Sequence, residues 1–420
     1  MAVSQAELGA RLKQAREAAG LTQDQVGREI GVPRSAVALM ESGSRSVSSL
    51  ELDRLAFLYG RDMRAFFANE FGSENALAGL FRTNRDIAED PDAVNALRRC
   101  MAVGRELTNL ERLVGIDRDP AAAVHYNLPA PRSRFDAIRQ GGSVAEQERR
   151  RLGIGDAPVT DVTELLEKHG VRTAIVDLPE DISGLTIFDV EAGPIVAANR
   201  KEHLLRRNFS FAHEYAHVLL DCDSAGRISR GSERADLLEV RANSFAASLL
   251  LPDVGVREFL EALGKNSDGW LLAATPIDDE HAIGVEARSV GGVSKIQMHD
   301  AVLLSFHFGV SRQVVLYRLR NLRMLSDRDL QELLRQEQAG QGRRVEKVLD
   351  LPEPDHTRER NRFRHRFLSL ALEAHRREAI SLAKLEELFA TVLEKPRDEI
   401  DLAEFGVVTD ELPTPVRIPK

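Results

Sequence analysis

The sequence predicts a mainly α protein with one small β-sheet, an α+β chain of several domains. Three observations carry this. Aromatic residues make up 5% of the 420, so the cores must rest on Leu, Val, Ala and Ile, the composition of packed helices. Apolar residues recur at helical spacing through most of the chain. Strand-like runs are confined to 171–176, 185–190 and 194–198, separated by turn residues. At about 100–200 residues per domain, the length allows two to four domains.

The elements follow in order. Leu8, Leu12, Ala15 and Ala19 repeat at helical spacing before Gly20. Thr22 caps a helix over 23–30 that Gly31 breaks, and Pro33 opens a third that ends at Gly43. Ser48 or Ser49 caps 50–59. Two helices joined at Gly31, inside a bundle of about five, make a helix-turn-helix. Residues 75–115 stay helical around a break near Pro91, with Leu97, Met101, Leu107 and Leu110 forming a packing or dimerisation face. Three prolines and the Gly141-Gly142 pair mark 117–142 as a linker. Helices are expected over 144–151 and 162–169, then the strands, then a long helical region from Leu204. The Ser/Gly/Arg-rich stretch 224–234 reads as a loop, 239–250 as a helix, and 264–292 as irregular. Helices resume from Lys295 to about Val392, and the last 20 residues read as extended. The resulting division is 1–70, a connector over 71–142, a central domain over 143–335 and a helical region over 336–420.

Composition narrows the function. With 43% hydrophobic and 29% charged residues, wholesale disorder is excluded. The longest apolar runs, 301–308 and 246–251, fall short of the roughly 18 residues of a membrane helix. The first residues lack a secretory layout, and two cysteines, Cys100 and Cys222, suit a reducing compartment. A cytoplasmic location with no membrane partner is expected. A net charge of −9 excludes a uniformly basic coat but leaves a local DNA-binding face open.

The sharpest motif is His213-Glu214-Tyr215-Ala216-His217. On a helix, residues four apart share a face, so both imidazoles reach one zinc ion, and Glu214 lies beside the ion's open position. There it can take a proton from a water polarised by the ion and pass it to a leaving amine. Three acids compete as third ligand. Asp221 lies too far along a straight helix from His213. Asp223 has the metzincin spacing, but Leu220 stands where that arrangement needs a helix-breaking glycine. Glu239, 22 residues past His217 at the head of a second helix, has the gluzincin layout and is favoured.

The segment Arg207-Asn208-Phe209-Ser210-Phe211-Ala212-His213-Glu214-Tyr215-Ala216-His217 and the block from Glu239 through Ala242-Asn243, Phe245-Ala246-Ala247 and Leu249-Leu250 to Pro252 resemble the ImmA/IrrE family of zinc metallopeptidases. Ala216 stands where the family has Gly, and Ser210 where it often has Thr. The resemblance implies a zincin-like peptidase that cuts a transcriptional repressor, often in response to DNA damage or another stress. It implies zinc on His213, His217 and Glu239, with Glu214 as acid/base. It also implies an edge strand for an extended substrate, for which 195–198 is the candidate. Tyr215, His203 and Arg206 are open candidates for steadying the oxyanion. The helix–Gly–helix pattern over 308–319 belongs, by the same resemblance, to the peptidase.

Residues 21–43 resemble the XRE (Cro/repressor-type) helix-turn-helix family, with Thr22-Gln23 opening one helix, Gly31 at the turn, Val37 in the core and Glu41 with Gly43 ending the next. Gly27 replaces the usual Ala, a cost of up to ~1 kcal/mol in helix propensity. The resemblance places Arg34 and Ser35 on base edges and Gln23, Ser42 and Arg45 on phosphates. Nine basic and nine acidic residues over 1–70 point to weak binding per monomer and a homodimer on an operator. Together the motifs describe a DNA-binding regulator with its own zinc endopeptidase. The alternative is a transcription factor or antitoxin whose zinc domain senses a ligand or peptide; an intact Glu214 argues for the enzyme.

Overall fold

A computed structural model describes residues 3–19, 21–59, 63–67, 80–81, 84–116, 124–189, 191–221, 226–230, 235–265, 295–352, 357–393 and 395–405. The chain forms two compact units, one of residues 1–102 with 120–354, the other of 103–119 with 355–420. It is mainly α with one four-stranded sheet.

The first helices are α1 (Gln5–Ala18), α2 (Gln23–Ile30), α3 (Arg34–Glu41) and α4 (Ser49–Leu58), with a 3₁₀ turn over Met63–Phe67. Thr22 and Gln25 form a reciprocal capping box on α2, and Gly31 ends it at φ 76°. Leu12, Val26, Ile30, Val37, Met40, Leu55 and Phe66 close one core. Gly27 is a requirement of this packing: a Cβ there would sit 2.6 Å from the Val32 carbonyl.

Next come α5 (Pro91–Leu113), α6 (Arg134–Leu152) and α7 (Val162–Lys168). The strands are β1 (Arg172–Val176), β2 (Ile182–Asp189), β3 (Gly193–Asn199) and β4 (Gly226–Arg230), in the order β1-β3-β2-β4. β3 runs parallel to β1 and antiparallel to β2, which pairs antiparallel with β4. One sheet face, including Ile187, Ile195 and Ala197, packs on Leu80, Phe81, Ile87, Val94, Leu97 and Met101. The other, including Val196 and Ala198, packs on α8 (Leu204–Leu220) through Phe211, Ala212 and Ala216. Covered on both faces, β3 is buried at every residue, which is why it reads as a continuous apolar run.

Three sequence expectations need correction. Residues 195–198 are not an edge: β3 is flanked on both sides, and among the described residues the sheet edges are β1 and β4. Stretch 224–234 is not simply a loop, because 226–230 pair with β2; Ile228 is the only large apolar residue there, so the strand is set by pairing rather than by pattern. The Gly141-Gly142 pair lies not in a linker but inside α6. Gly141 lets that helix touch α9 (Leu237–Leu250), where a Cβ would meet the Arg241 carbonyl at 2.3 Å and the Phe245 nitrogen at 2.8 Å.

Helices α10 (Asp253–Ala262), α11 (Met298–Phe308), α12 (Arg312–Asn321), α13 (Asp327–Gln338) and α14 (Gln341–Val348) complete the first unit. α11 and α12, joined at Gly309, bury Phe308, Val315, Leu316 and Leu319 in the same core as α8 and α9. Residue 335 falls within α13. Two arginines steady the C-terminal end of α9: Arg149 donates to the Leu249 carbonyl, and Arg318 Nε to the Leu251 carbonyl at 2.9 Å. The stretch 264–292 lies almost wholly outside the described residues, as do Cys222, Asp223 and the last residues of the chain.

In the second unit, Leu107, Leu110 and Val114 pack with α15 (Thr357–Arg376) and α16 (Leu382–Leu393) through Phe367, Ala371, Leu385 and Phe389. Arg366 pairs there with the buried Glu111. Among the described residues no helix is long and apolar enough to cross a membrane.

Candidate functional site

The local sequence of α8 explains its two faces. His203 caps it, its Nδ1 accepting from the Leu205 nitrogen, and Phe211, Ala212, Ala216 and Leu219 seat it in the core. His213, Glu214 and His217 lie on the face toward β2, β4 and α9, and all three are buried. Asp236 caps α9, which places Glu239 in its first turn and brings the carboxylate against both imidazoles.

The side chains converge. His213 Nε2 lies 3.2 Å from His217 Nε2 and 3.0 Å from Glu239 Oε2, while His217 Nε2 is 3.4 Å from Glu239 Oε1. The outer ring nitrogens are engaged elsewhere: His213 Nδ1 with Asn243 Oδ1 at 3.2 Å, and His217 Nδ1 with Asp221 Oδ2 at 2.7 Å. Asp221 is in turn paired with the fully buried Arg241, whose Nη1 donates to Gln140 Oε1 at 3.3 Å.

This set suits a metal ion. All three residues are buried, and each offers a donor atom within 4.8 Å of the others. With both Nδ1 atoms held by oxygens, both Nε2 lone pairs turn inward, the arrangement in which histidine ligates. In the metal-free protein the same convergence appears as displaced protons. Burial works against charge on His217, but hydrogen bonds to Asp221 and Glu239 outweigh it and push its pKa up to about 9. Burial would raise the Glu239 carboxyl, yet the two histidines hold it far below the usual carboxylate range.

Glu214 is tucked beneath β2. The Thr186 hydroxyl donates to Glu214 Oε2 at 2.8 Å, and its Oε1 is buried without a hydrogen-bond partner. Burial raises its pKa. The strand passes so close that a Cβ on Gly184 would sit 2.9 Å from Oε1.

Of the oxyanion candidates, none faces this cluster. Tyr215, on the far side of α8, donates to the buried Glu148, which also accepts from Tyr126 at 2.9 Å and from Arg151. His203 is an exposed cap, and Arg206 pairs with Glu202 at 2.5 Å. Asp221, the acid set aside as a ligand, instead orients His217 from behind. Thr186, Arg227 and Arg241 had no sequence signal, because their roles depend on contacts between α8, α9 and the sheet; Asn243 stands in the block that carries the family resemblance, which assigned it no role.

The residues expected to meet DNA are divided. Arg34 and Ser35 are exposed at the start of α3, and Ser42 at its end, its Oγ donating to the Leu39 carbonyl at 3.1 Å. Gln23 Nε2 donates to Glu41 Oε2 at 2.8 Å, and Arg45 pairs with Glu51 at 2.6 Å, so both are tied into the bundle.

Two stretches match known domain families. Residues 7–65 match the helix-turn-helix domain family. Residues 166–273 match the IrrE N-terminal-like domain, a metallopeptidase family. These are the two parts of the architecture expected from the motifs, and they support a DNA-binding regulator with a protease-like domain. No curated protein matches the chain.

Proposed function

We propose that the chain is a transcriptional regulator carrying a zinc-dependent, site-specific endopeptidase that cuts a repressor or partner protein in a stress response. The observation that carries this is the convergence of His213, His217 and Glu239 beside a buried carboxylate with one oxygen unsatisfied. An oxygen left free to take a proton from water is what a general base beside the ion needs.

His213, His217 and Glu239 would hold the ion, and zinc there supplies a Lewis acid that polarises a carbonyl and makes water more acidic. Asn243 and Asp221 fix the tautomers that aim both Nε2 atoms inward. Glu214, steadied by Thr186, takes the proton of the attacking water and delivers it to the amine nitrogen as the peptide C–N bond breaks. Its raised pKa suits both halves of that transfer. An extended substrate would add at β4, the sheet edge whose Arg227 touches Glu239. In the helix-turn-helix domain, which binds an operator as a dimer, Arg34 and Ser35 would read bases from α3, with Gln23, Ser42 and Arg45 near phosphates.

The test compares wild type with Glu214→Gln for zinc content and for cleavage of repressors encoded beside the gene. Zinc should stay, and cleavage should fall by about 10²–10⁴-fold. Full cleavage by the variant removes Glu214 from the chemistry, and absence of zinc from both removes the metal centre.

A further inference from the structure

We propose that Arg227 is a positioning residue of the metal centre, which engages one oxygen of Glu239 so that the other is the one left free for the ion. The inference rests on reading His213, His217 and Glu239 as metal ligands.

Arg227 stands on β4 directly opposite Thr186, the residue that holds Glu214. Its Nε donates to Glu239 Oε1 at 3.0 Å, and its Nη2 to Asp236 Oδ2 at 2.9 Å. The other oxygen of Asp236 caps α9 by accepting from the Leu238 nitrogen at 2.9 Å. One planar fork thus ties the edge strand to the cap of the helix and to the carboxylate in its first turn. The Arg227 side chain is only 22% exposed, and that of Glu239 only 4%, so this pair is little screened by solvent.

The consequence is geometric. A carboxylate with both oxygens free can close on a divalent ion through both and fill the place that solvent and substrate need. A guanidinium on Oε1 opposes this twice, by engaging its lone pair and by repelling a second cation from it. Oε1 lies 3.4 Å from His217 Nε2 but is held by the guanidinium, so Oε2, 3.0 Å from His213 Nε2, is the atom left free for the ion. Lysine carries the charge but only a point donor, so it cannot span Glu239 and Asp236 as the fork does.

The experiment uses the full-length protein as wild type, Arg227→Gln, Arg227→Lys, Asp236→Asn and His213→Ala. Each is titrated with zinc against a chromophoric chelator, then loaded with cobalt(II) for visible absorption. Arg227→Gln should bind zinc about 10–100-fold more weakly than wild type. Its cobalt bands should lose intensity as Glu239 closes with both oxygens. Arg227→Lys should recover part of the affinity. Asp236→Asn, which keeps the helix cap, should show a smaller loss and carries the test alone if Arg227→Gln does not fold. Wild-type affinity and an unchanged cobalt spectrum in Arg227→Gln, or in Asp236→Asn where only it folds, overturn the role of Arg227 while leaving the metal centre standing. Should wild type bind no better than His213→Ala, the metal centre falls and this inference with it.

Discussion

Two buried carboxylates, one in each functional part of the molecule, are treated in opposite ways. Glu41 in the helix-turn-helix bundle accepts from Arg16 through both oxygens and from Gln23, leaving nothing unmet. Glu214 in the peptidase-like part is buried more deeply still, yet Thr186 donates to one oxygen while the other, which the Ser229 side chain approaches, has no hydrogen bond of good geometry. A satisfied buried network specifies a fold, and an unsatisfied one stores free energy that binding or chemistry can release. The contrast holds even between neighbours on α8, since Tyr215 completes a closed network with Glu148, Tyr126 and Arg151.

The comparison can be broken first at Glu41. Replacing it with Ala leaves the largely buried Arg16 without its carboxylate, and removing one partner of a buried pair costs about 3–5 kcal/mol. Hydrogen exchange on the full chain should show α1–α3 opening and operator binding lost, with protection of α8 and α9 kept. If α8 and α9 open together with α1–α3, the two networks are not independent and the contrast fails. Gly184→Ala probes the other side. Its Cβ would press on Glu214 and on the Ala197 carbonyl, both at 2.9 Å, an overpacking worth roughly 1–3 kcal/mol. The thermal midpoint should drop by a few degrees and cleavage should fall further than the lost stability explains. Unchanged cleavage would mean that the position of Glu214 is not set by β2.

How far the sequence reaches follows the same division. The helix-turn-helix was legible because its signals are local: Thr22, Gly31 and Pro33 act within a few residues of themselves. His213, Glu214 and His217 were legible for the same reason, since a spacing of four is a property of one helix. Glu239 could be favoured only by analogy of layout, and its approach to the histidines depends on α9 crossing α8. Gly141 was misread because a glycine pair near prolines resembles a linker, and only the adjacent Arg241 backbone shows that the missing Cβ is what lets two helices touch. β4 was missed because an edge strand with a single large apolar residue has no period to detect. The orienting groups, Asp221, Asn243 and Thr186, are ordinary polar residues until the fold brings them together.

The smallest effect separates the two networks by pH. The folded, metal-free protein holds the His217 proton up to about 9, against 6.5 for an ordinary histidine. A raised folded pKa means that the stabilisation is fully present below pH 6.5 and is lost as pH climbs through 9. The metal-stripped protein should therefore melt at a lower temperature at pH 9 than at pH 6.5. Because an ion must displace that same proton, zinc affinity should rise with pH over the same interval and offset the loss. Arg16 and Glu41 lie next to no such histidine, so exchange protection of α1–α3 should stay level across the range. His217→Gln should flatten the pH slope in the stripped protein. If the slope persists in that variant, the proton belongs to another group, and the reading of this cluster as a metal site displaced by protons loses its support.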